Sequence, residues 1–170
     1  MDRLRSLRRV FLIAVLAFPA IAFAQPAPHS APALQVSGPT GRSLALTASD
    51  LAKLPRVSAN VVDEKGNKAV YDGVAISEVL RQVDAPVGRD LRGKAMDLYL
   101  LVTASDGYHV VFALPELDPD FTDRVVMIAD RRDGKTLSPA EGPFRIVVPG
   151  EKRHARWIRK VIALSVRPAN

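Results

Sequence analysis

The chain has 170 residues, 48% of them hydrophobic, so it is long enough for one domain with a substantial core and a short leader. It contains no Cys, which excludes a disulfide framework, a thiolate nucleophile and Cys metal ligands. The formal net charge is +6, but half of it belongs to residues 1–24, which carry four Arg and one Asp. The remaining excess of positive charge is too small to favour nucleic acid as a partner.

Residues 1–24 have the pattern of a secretory signal peptide. A basic start precedes the apolar run Val10–Ala17, and Ala22-Phe23-Ala24 offers a small-residue cleavage site. The run is short for a bilayer, so we expect cleavage and no stable membrane anchor afterwards. Arg8-Arg9 resembles the twin-arginine export signal, with an ordinary signal peptide as the alternative. The mature protein is therefore expected in the periplasm or secreted, with a Pro/Ala linker over residues 25–33.

Short strands and two short helices are expected in the first part of the domain, residues 34–170. Thr47 to Asp50 supply N-cap candidates for the first helix. A second helix is predicted from Ile76 to Val83, because four apolar residues there lie at i, i+3, i+4 and i+7. Asp72-Gly73 is expected to form the turn before this helix. The expected strands are Leu34–Val36, Ser43–Leu46, Val57–Val62 and Lys68–Tyr71.

An Asp-Gly pair gives the clearest turn signal in the second part. Asp97–Ser105 and Tyr108–Leu114 are rich in β-formers and flank Asp106-Gly107, which predicts a type I′ hairpin because Gly takes positive φ readily. A solvated acidic loop is expected next, followed by strands over Arg124–Ala129, Phe144–Val148 and Trp157–Val166; the acidic residues are Glu116, Asp118, Asp120 and Asp123. This order predicts an α+β fold, with a mixed or antiparallel β-sheet and a few short helices in one domain.

Residues 140–160 combine a short strand with a cationic loop. Gly142-Pro143 and Pro149-Gly150 bound the strand, because Pro rarely lies within a central strand. Five basic residues, one His and the only Trp of the chain lie within residues 151–160. So many converging cations favour a site for an anionic ligand, and the predicted binding residues are Arg145, Lys152, Arg153 and Arg156.

Alternatives to this anion site remain open at each residue. Arg145 would instead pair with Glu141 or another acid, the basic loop would be solvated, and Trp157 would be a buried core anchor. No Ser/His/Asp order, phosphate loop or metal-ligand spacing is present, so no catalytic residue and no metal ligand is assigned.

Three pieces taken in order resemble the molybdopterin-binding domain of the sulfite oxidase family. They are Tyr71-Asp72-Gly73-Val74, Asp106-Gly107-Tyr108, and Gly142–Gly150 followed by Arg156-Trp157-Ile158. The resemblance extends over about residues 34–166. It implies an α+β fold with a mixed sheet, molybdopterin as cofactor, and oxidation or reduction of a small oxyanion or oxide.

The chain departs from the pattern of that family where the cofactor is held. Family members bind molybdenum through a Cys after an early strand, near Val61–Glu64 here, and this chain has no Cys. Glu141 stands where the family often has His, and a carboxylate repels a cofactor phosphate. Two interpretations follow. One is an exported oxidoreductase-like protein that holds molybdopterin without Cys ligation; the other is a cofactor-free, non-catalytic module that binds an anionic small molecule or a periplasmic partner protein.

Overall fold

The computed structural model describes residues 31–63 and 65–169. The predicted signal peptide and most of the predicted linker lie outside these residues. The described part contains ten strands and two α-helices. The helices are α1 (Ala48–Leu51) and α2 (Ile76–Arg81). The strands are β1 (Ala33–Ser37), β2 (Ser43–Thr47), β3 (Arg56–Val62), β4 (Lys68–Ala75), β5 (Leu98–Ala104), β6 (His109–Ala113), β7 (Met127–Arg132), β8 (Lys135–Thr136), β9 (Arg145–Val147) and β10 (Val161–Pro168).

The strands form two sheets of five strands each. The first has the order β2-β1-β10-β5-β6, and the second has the order β3-β4-β7-β8 with β9 paired to β7. Strands β1 and β10 are parallel, and the other pairs are antiparallel. The predicted α+β fold with mixed sheet is thereby confirmed.

Alternation of side chains along the strands builds the core. In β5, Leu100 and Val102 are fully buried, and Phe112 of β6 is 1% exposed. Successive side chains of a strand point to opposite faces, so one face of each strand packs inward and the other is left for solvent. Helix α2 adds its apolar face, as the helical spacing predicts, through Ile76 and Val79. In the part of the chain that the structure describes, no helix is long and apolar enough to cross a membrane.

Asp72-Gly73 does not form the turn that the sequence predicts. Strand β4 continues through both residues to Ala75, and its register against β7 shifts between them. A Cβ atom at Gly73 would lie 2.1 Å from the carbonyl oxygen of Ile128. Glycine is therefore present because the β7 backbone approaches closely, which is a common use of glycine within a strand.

The hairpin at Asp106-Gly107 exists, but its turn is not type I′. Gly107 has a φ of 86°, whereas Asp106 is not in the positive-φ region that a type I′ turn requires. The Gly107 amide donates to the Ala104 carbonyl at 3.1 Å, and the Ala104 amide donates to the Tyr108 carbonyl at 2.9 Å. This is the pattern of a type I turn followed by a glycine bulge, so the loop is one residue longer than predicted.

The acidic loop is not wholly solvated. Asp118 is 1% exposed, and its carboxylate accepts the amides of Gly88 at 2.6 Å and Asp120 at 2.9 Å. Buried carboxylates are tolerated when hydrogen bonds replace water, and Asp118 thereby joins two loops. Strand β7 also begins at Met127 rather than Arg124, and β10 begins at Val161 rather than Trp157.

Candidate functional site

A cleft of about 350 Å³ opens beside the second sheet, where the segments before and after β9 meet. Its buried lining comes from Tyr71, Arg145 and Trp157, each at most 5% exposed. Exposed residues, among them Lys65 and Arg159, line its rim. The cleft therefore has an interior with buried charged groups and a cationic mouth.

Strand register brings the interior residues together. Tyr71 of β4 lies opposite Arg132 of β7, and Arg145 of β9 lies opposite Ala129 of β7. Asp63 follows β3 directly, and its Oδ1 accepts the amides of Lys65 and Asn67 in the turn to β4. Residues that are far apart in sequence thus meet towards one end of the second sheet.

Glu141 is the centre of a hydrogen-bonded network in the cleft. Its Oε1 accepts the Tyr71 hydroxyl at 3.0 Å, Nη1 of Arg132 at 3.4 Å and a short bond from Nη1 of Arg145. Arg132 also donates from Nη2 to Oδ2 of Asp63 at 2.7 Å. Two carboxylates and two guanidinium groups therefore alternate, and the charges of the interior cancel.

The network shifts the pKa values of its members. Burial acts to raise the pKa of Glu141, but the Tyr71 hydroxyl and the guanidinium groups of Arg145 and Arg132 outweigh it, so the pKa is lowered. Amide hydrogen bonding from Asn67 and the contact with Arg132 lower the pKa of Asp63 to about 2. Burial raises the pKa of the Tyr71 phenol. Both carboxylates are therefore ionised and Tyr71 is a neutral donor at neutral pH.

Aromatic rings form one wall of the cleft. The Arg145 guanidinium lies 5.1 Å from the centre of the Tyr71 ring, and Arg132 lies 5.5 Å from it. Trp157 meets Tyr71 edge-on at 6.4 Å, and His154 stacks on Trp157 with ring centres 4.0 Å apart. These distances lie in the range in which cations and rings attract aromatic faces.

Of the four residues predicted to bind an anion, only Arg145 lines this cleft. Lys152 and Arg153 are exposed on the loop after β9. Arg156 donates from Nε to Glu151 at 2.7 Å and from Nη1 to Glu116 at 2.9 Å. It also lies over the Phe112 ring at 4.5 Å, so it fastens the loop to the first sheet. The four side chains do not share one cleft, and ligand binding by them stays a prediction.

Two of the alternatives to an anion site match the observed contacts. Arg145 pairs with Glu141, and Trp157 is buried at 4% exposure. The importance of Tyr71, Arg132 and Asp63 is not apparent in the sequence. Tyr71 is marked only as the end of a predicted strand and as part of one piece that resembles the family, and Asp63 and Arg132 are not singled out. The register of β4 with β7 brings Tyr71 and Arg132 together, and local sequence patterns do not predict it.

Comparison with known proteins identifies the relatives of the chain. A family model described as oxidoreductase molybdopterin binding domain matches residues 24–169. The chain belongs to this family. The resemblance that the sequence suggests is thereby confirmed. No curated protein matches the chain.

Among solved structures, the sulfane dehydrogenase SoxCD from Paracoccus pantotrophus resembles this family member with a TM-score of 0.61 and 20% sequence identity. The match covers 81% of this chain and 38% of that chain. The likeness shows a shared fold, and the chain spans well under half of that dehydrogenase chain.

The side chains of the cleft do not fit a molybdenum cofactor held by a thiolate. The chain has no Cys, and the described residues contain no cluster of three or more His, Cys, Asp or Glu that could hold a metal ion. Asp63, near the expected Cys position, has both oxygens engaged by Arg132 and by backbone amides. The buried cation that could meet a phosphate, Arg145, is already neutralised by Glu141.

Proposed function

We propose that this chain is an exported, cofactor-free member of the family that binds a small anionic molecule in the cleft and performs no molybdenum chemistry. The observation that carries the proposal is the placement of charge. The interior pairs Arg132–Asp63 and Arg145–Glu141 cancel, whereas Lys65 and Arg159 at the rim form no ion pair within the part of the chain that the structure describes.

Two cations at a concave mouth concentrate anions when, as among the described residues here, neither has a carboxylate partner. The low-dielectric wall formed by Tyr71 and Trp157 strengthens that field, because fewer waters screen it. Charge-assisted hydrogen bonds from Arg159 would hold a carboxylate, sulfate or phosphate group. The ligand is expected to be modest in charge and size, because the cleft holds about 350 Å³ and Glu141 repels a second deep negative charge.

Two buried donors give independent support for a polar ligand or water within the cleft. Nε of Arg145 and Nε1 of Trp157 are buried, and neither has a hydrogen-bond partner among the described residues. Buried donors are rarely left without an acceptor in native proteins. Both belong to residues that line the cleft. An oxygen-rich ligand, directly or through ordered water, would supply the acceptors.

Isothermal titration calorimetry at low salt, with sulfate, phosphate and succinate, tests this function. Arg159→Ala should weaken binding about tenfold, the effect of one charge-assisted bond. Arg153→Ala is the matched control, because it removes the same charge from an exposed position outside the cleft. It should change affinity less than about twofold, and added salt should weaken binding to the parent.

Two results would contradict the proposal. One is the absence of binding by any of the three anions at low salt, which would direct the search to a periplasmic partner protein. The other is an equal loss from Arg159→Ala and Arg153→Ala, which would mean that net charge rather than the cleft attracts the anion. Molybdopterin binding is the second candidate, favoured by the family match. Stoichiometric molybdenum or pterin in protein purified from its native host would support that candidate instead.

A further inference from the structure

A second cavity adjoins the cleft on the far side of His154. It has a volume of about 320 Å³, and its lining includes Ala104, Asp106 and Tyr108. Three residues line both this cavity and the cleft: His154, Trp157 and Arg159. The two spaces are therefore neighbouring compartments with a shared wall.

The shared wall consists of a fixed part and a weakly held part. Trp157 is 4% exposed, is braced edge-on by Tyr71, and its amide donates to the His154 carbonyl at 2.9 Å. Across the second compartment, the Tyr108 hydroxyl donates to the Ala155 carbonyl at 3.2 Å. The His154 imidazole makes no hydrogen bond within the described residues and rests on the Trp157 ring at 4.0 Å with an interplanar angle of 28°.

We propose that His154 is the specificity-determining residue of the cleft: its imidazole separates the cleft from the second compartment and restricts the ligand to a short anion held at Arg159. The inference rests on the proposed anion binding and names the class of ligand, a short-chain carboxylate or an oxyanion of similar size. Removal of the imidazole joins the two compartments. The alkyl chain of a longer carboxylate ligand can then pack against the rings of Trp157 and Tyr108.

The chemistry of the second compartment favours an apolar tail over a second negative charge. Ala104, Ala155 and Ile158 contribute apolar surface to it, and its carboxylate, Asp106, repels anions. Straight-chain monocarboxylates of increasing length therefore test whether the His154 imidazole keeps an alkyl chain out of the second compartment. Each methylene that enters an apolar space changes affinity by roughly three- to fourfold, because its burial is worth about 0.8 kcal/mol.

The experiment is calorimetry with acetate, butyrate, hexanoate and octanoate at one fixed pH. The parent should show no gain in affinity beyond butyrate. His154→Ala should bind hexanoate at least about tenfold more tightly than butyrate, the gain expected when the two added methylenes are buried. His154→Phe keeps a stacked ring and should retain the profile of the parent. His109→Ala is the matched control, because His109 is exposed, bonds Thr103 and lines neither compartment.

Each outcome decides between the proposals. A chain-length profile that is the same in the parent and in His154→Ala, with acetate bound, overturns the role of His154 and leaves the anion site intact. If no protein binds any of the acids, both proposals fail. If His154→Ala does not fold, the parent and His154→Phe profiles decide, because a steady gain through hexanoate in either would show that the ring is no barrier.

Discussion

Glu141 supplies the negative charge that the buried guanidinium of Arg145 requires. Arg145 is 5% exposed, and a buried charge without a partner costs several kcal/mol. Glu141 lies four residues before Arg145, just before β9, and its carboxylate also contacts Arg132 and Tyr71. Glu141, which the sequence analysis treats as opposed to a ligand, is therefore the counter-ion of a buried guanidinium.

Acid should destabilise the protein through Asp63. The pKa of this carboxyl is lowered from 3.8 to about 2 by the Asn67 amide and by Arg132. A lowered pKa means that the stabilisation is complete above 3.8 and is lost as pH falls through about 2. Asp63→Asn should therefore lower the melting temperature at neutral pH, and its difference from the parent should shrink as pH falls through this window. Thermal melts followed by circular dichroism measure the effect.

The control for this acid effect is Asp123→Asn. Asp123 is exposed and makes no hydrogen bond or ion pair within the residues that the structure describes. Its replacement should leave the melting curve close to that of the parent at every pH. A constant difference between Asp63→Asn and the parent from neutral pH to pH 2 would show that the ionised carboxylate is not what stabilises the turn after β3.

Three Asp-Gly pairs show how far turn chemistry can be predicted from sequence. Asp106-Gly107 lies in a hairpin of a different type, and Asp72-Gly73 lies inside a strand. Asp133-Gly134 has positive φ at both residues, 51° and 74°, and joins β7 to β8 with Arg132 opposite Lys135. This is the two-residue hairpin geometry. All three pairs have the same local sequence. Pairing with distant strands determines whether each pair forms a two-residue turn, a longer turn or part of a strand.

The candidate site could be predicted from sequence only in part, because local patterns do not predict pairing between distant strands. The pairing of Arg145 with Glu141 could be considered from sequence, since the two residues are four positions apart beside one short strand. Tyr71 and Arg132 could not be joined to them, since 61 residues separate the partners in the observed register of β4 with β7. Strand patterns predicted most elements, because alternation of apolar residues is local, whereas the site is made by contacts between strands.

The two glycines Gly73 and Gly107 should respond differently to the same substitution. Gly73→Ala places Cβ against the backbone of β7, which cannot move without breaking the sheet, so we expect a cost of about 3 kcal/mol or more. Gly107→Ala meets no atom within 4 Å but must hold positive φ, which costs roughly 1–2 kcal/mol. Urea unfolding measures both. Equal costs, or a larger cost at Gly107, would contradict the close approach at Gly73.

At the scale of the whole molecule, one parallel pair lies within the first sheet and joins strands from the two ends of the described residues. Strand β1 is the first strand of the described residues and lies beside β10, their last strand, with Gln35 opposite Ala163. The family match covers both strands, from residue 24 to residue 169. The described residues thus have the fold of the family, while the sequence contains no Cys that could bind molybdenum as a thiolate. The fold depends on apolar patterning along the strands, whereas thiolate ligation of molybdenum depends on one side chain, so the first does not imply the second.

The leader, which lies outside the described residues, carries the sequence signals that predict export. A basic start, an apolar run and Ala22-Phe23-Ala24 predict cleavage after Ala24, so the mature chain should begin at Gln25 and be recovered in the periplasm. N-terminal sequencing and intact mass of the recovered protein measure this. Met1 on membrane-bound protein would contradict cleavage.

Replacing Arg8 and Arg9 together by Lys tests the export route. The twin-arginine signal requires the arginine pair itself, whereas an ordinary signal peptide needs only positive charge at its start. Loss of export would therefore indicate the twin-arginine pathway, and unchanged export would contradict it.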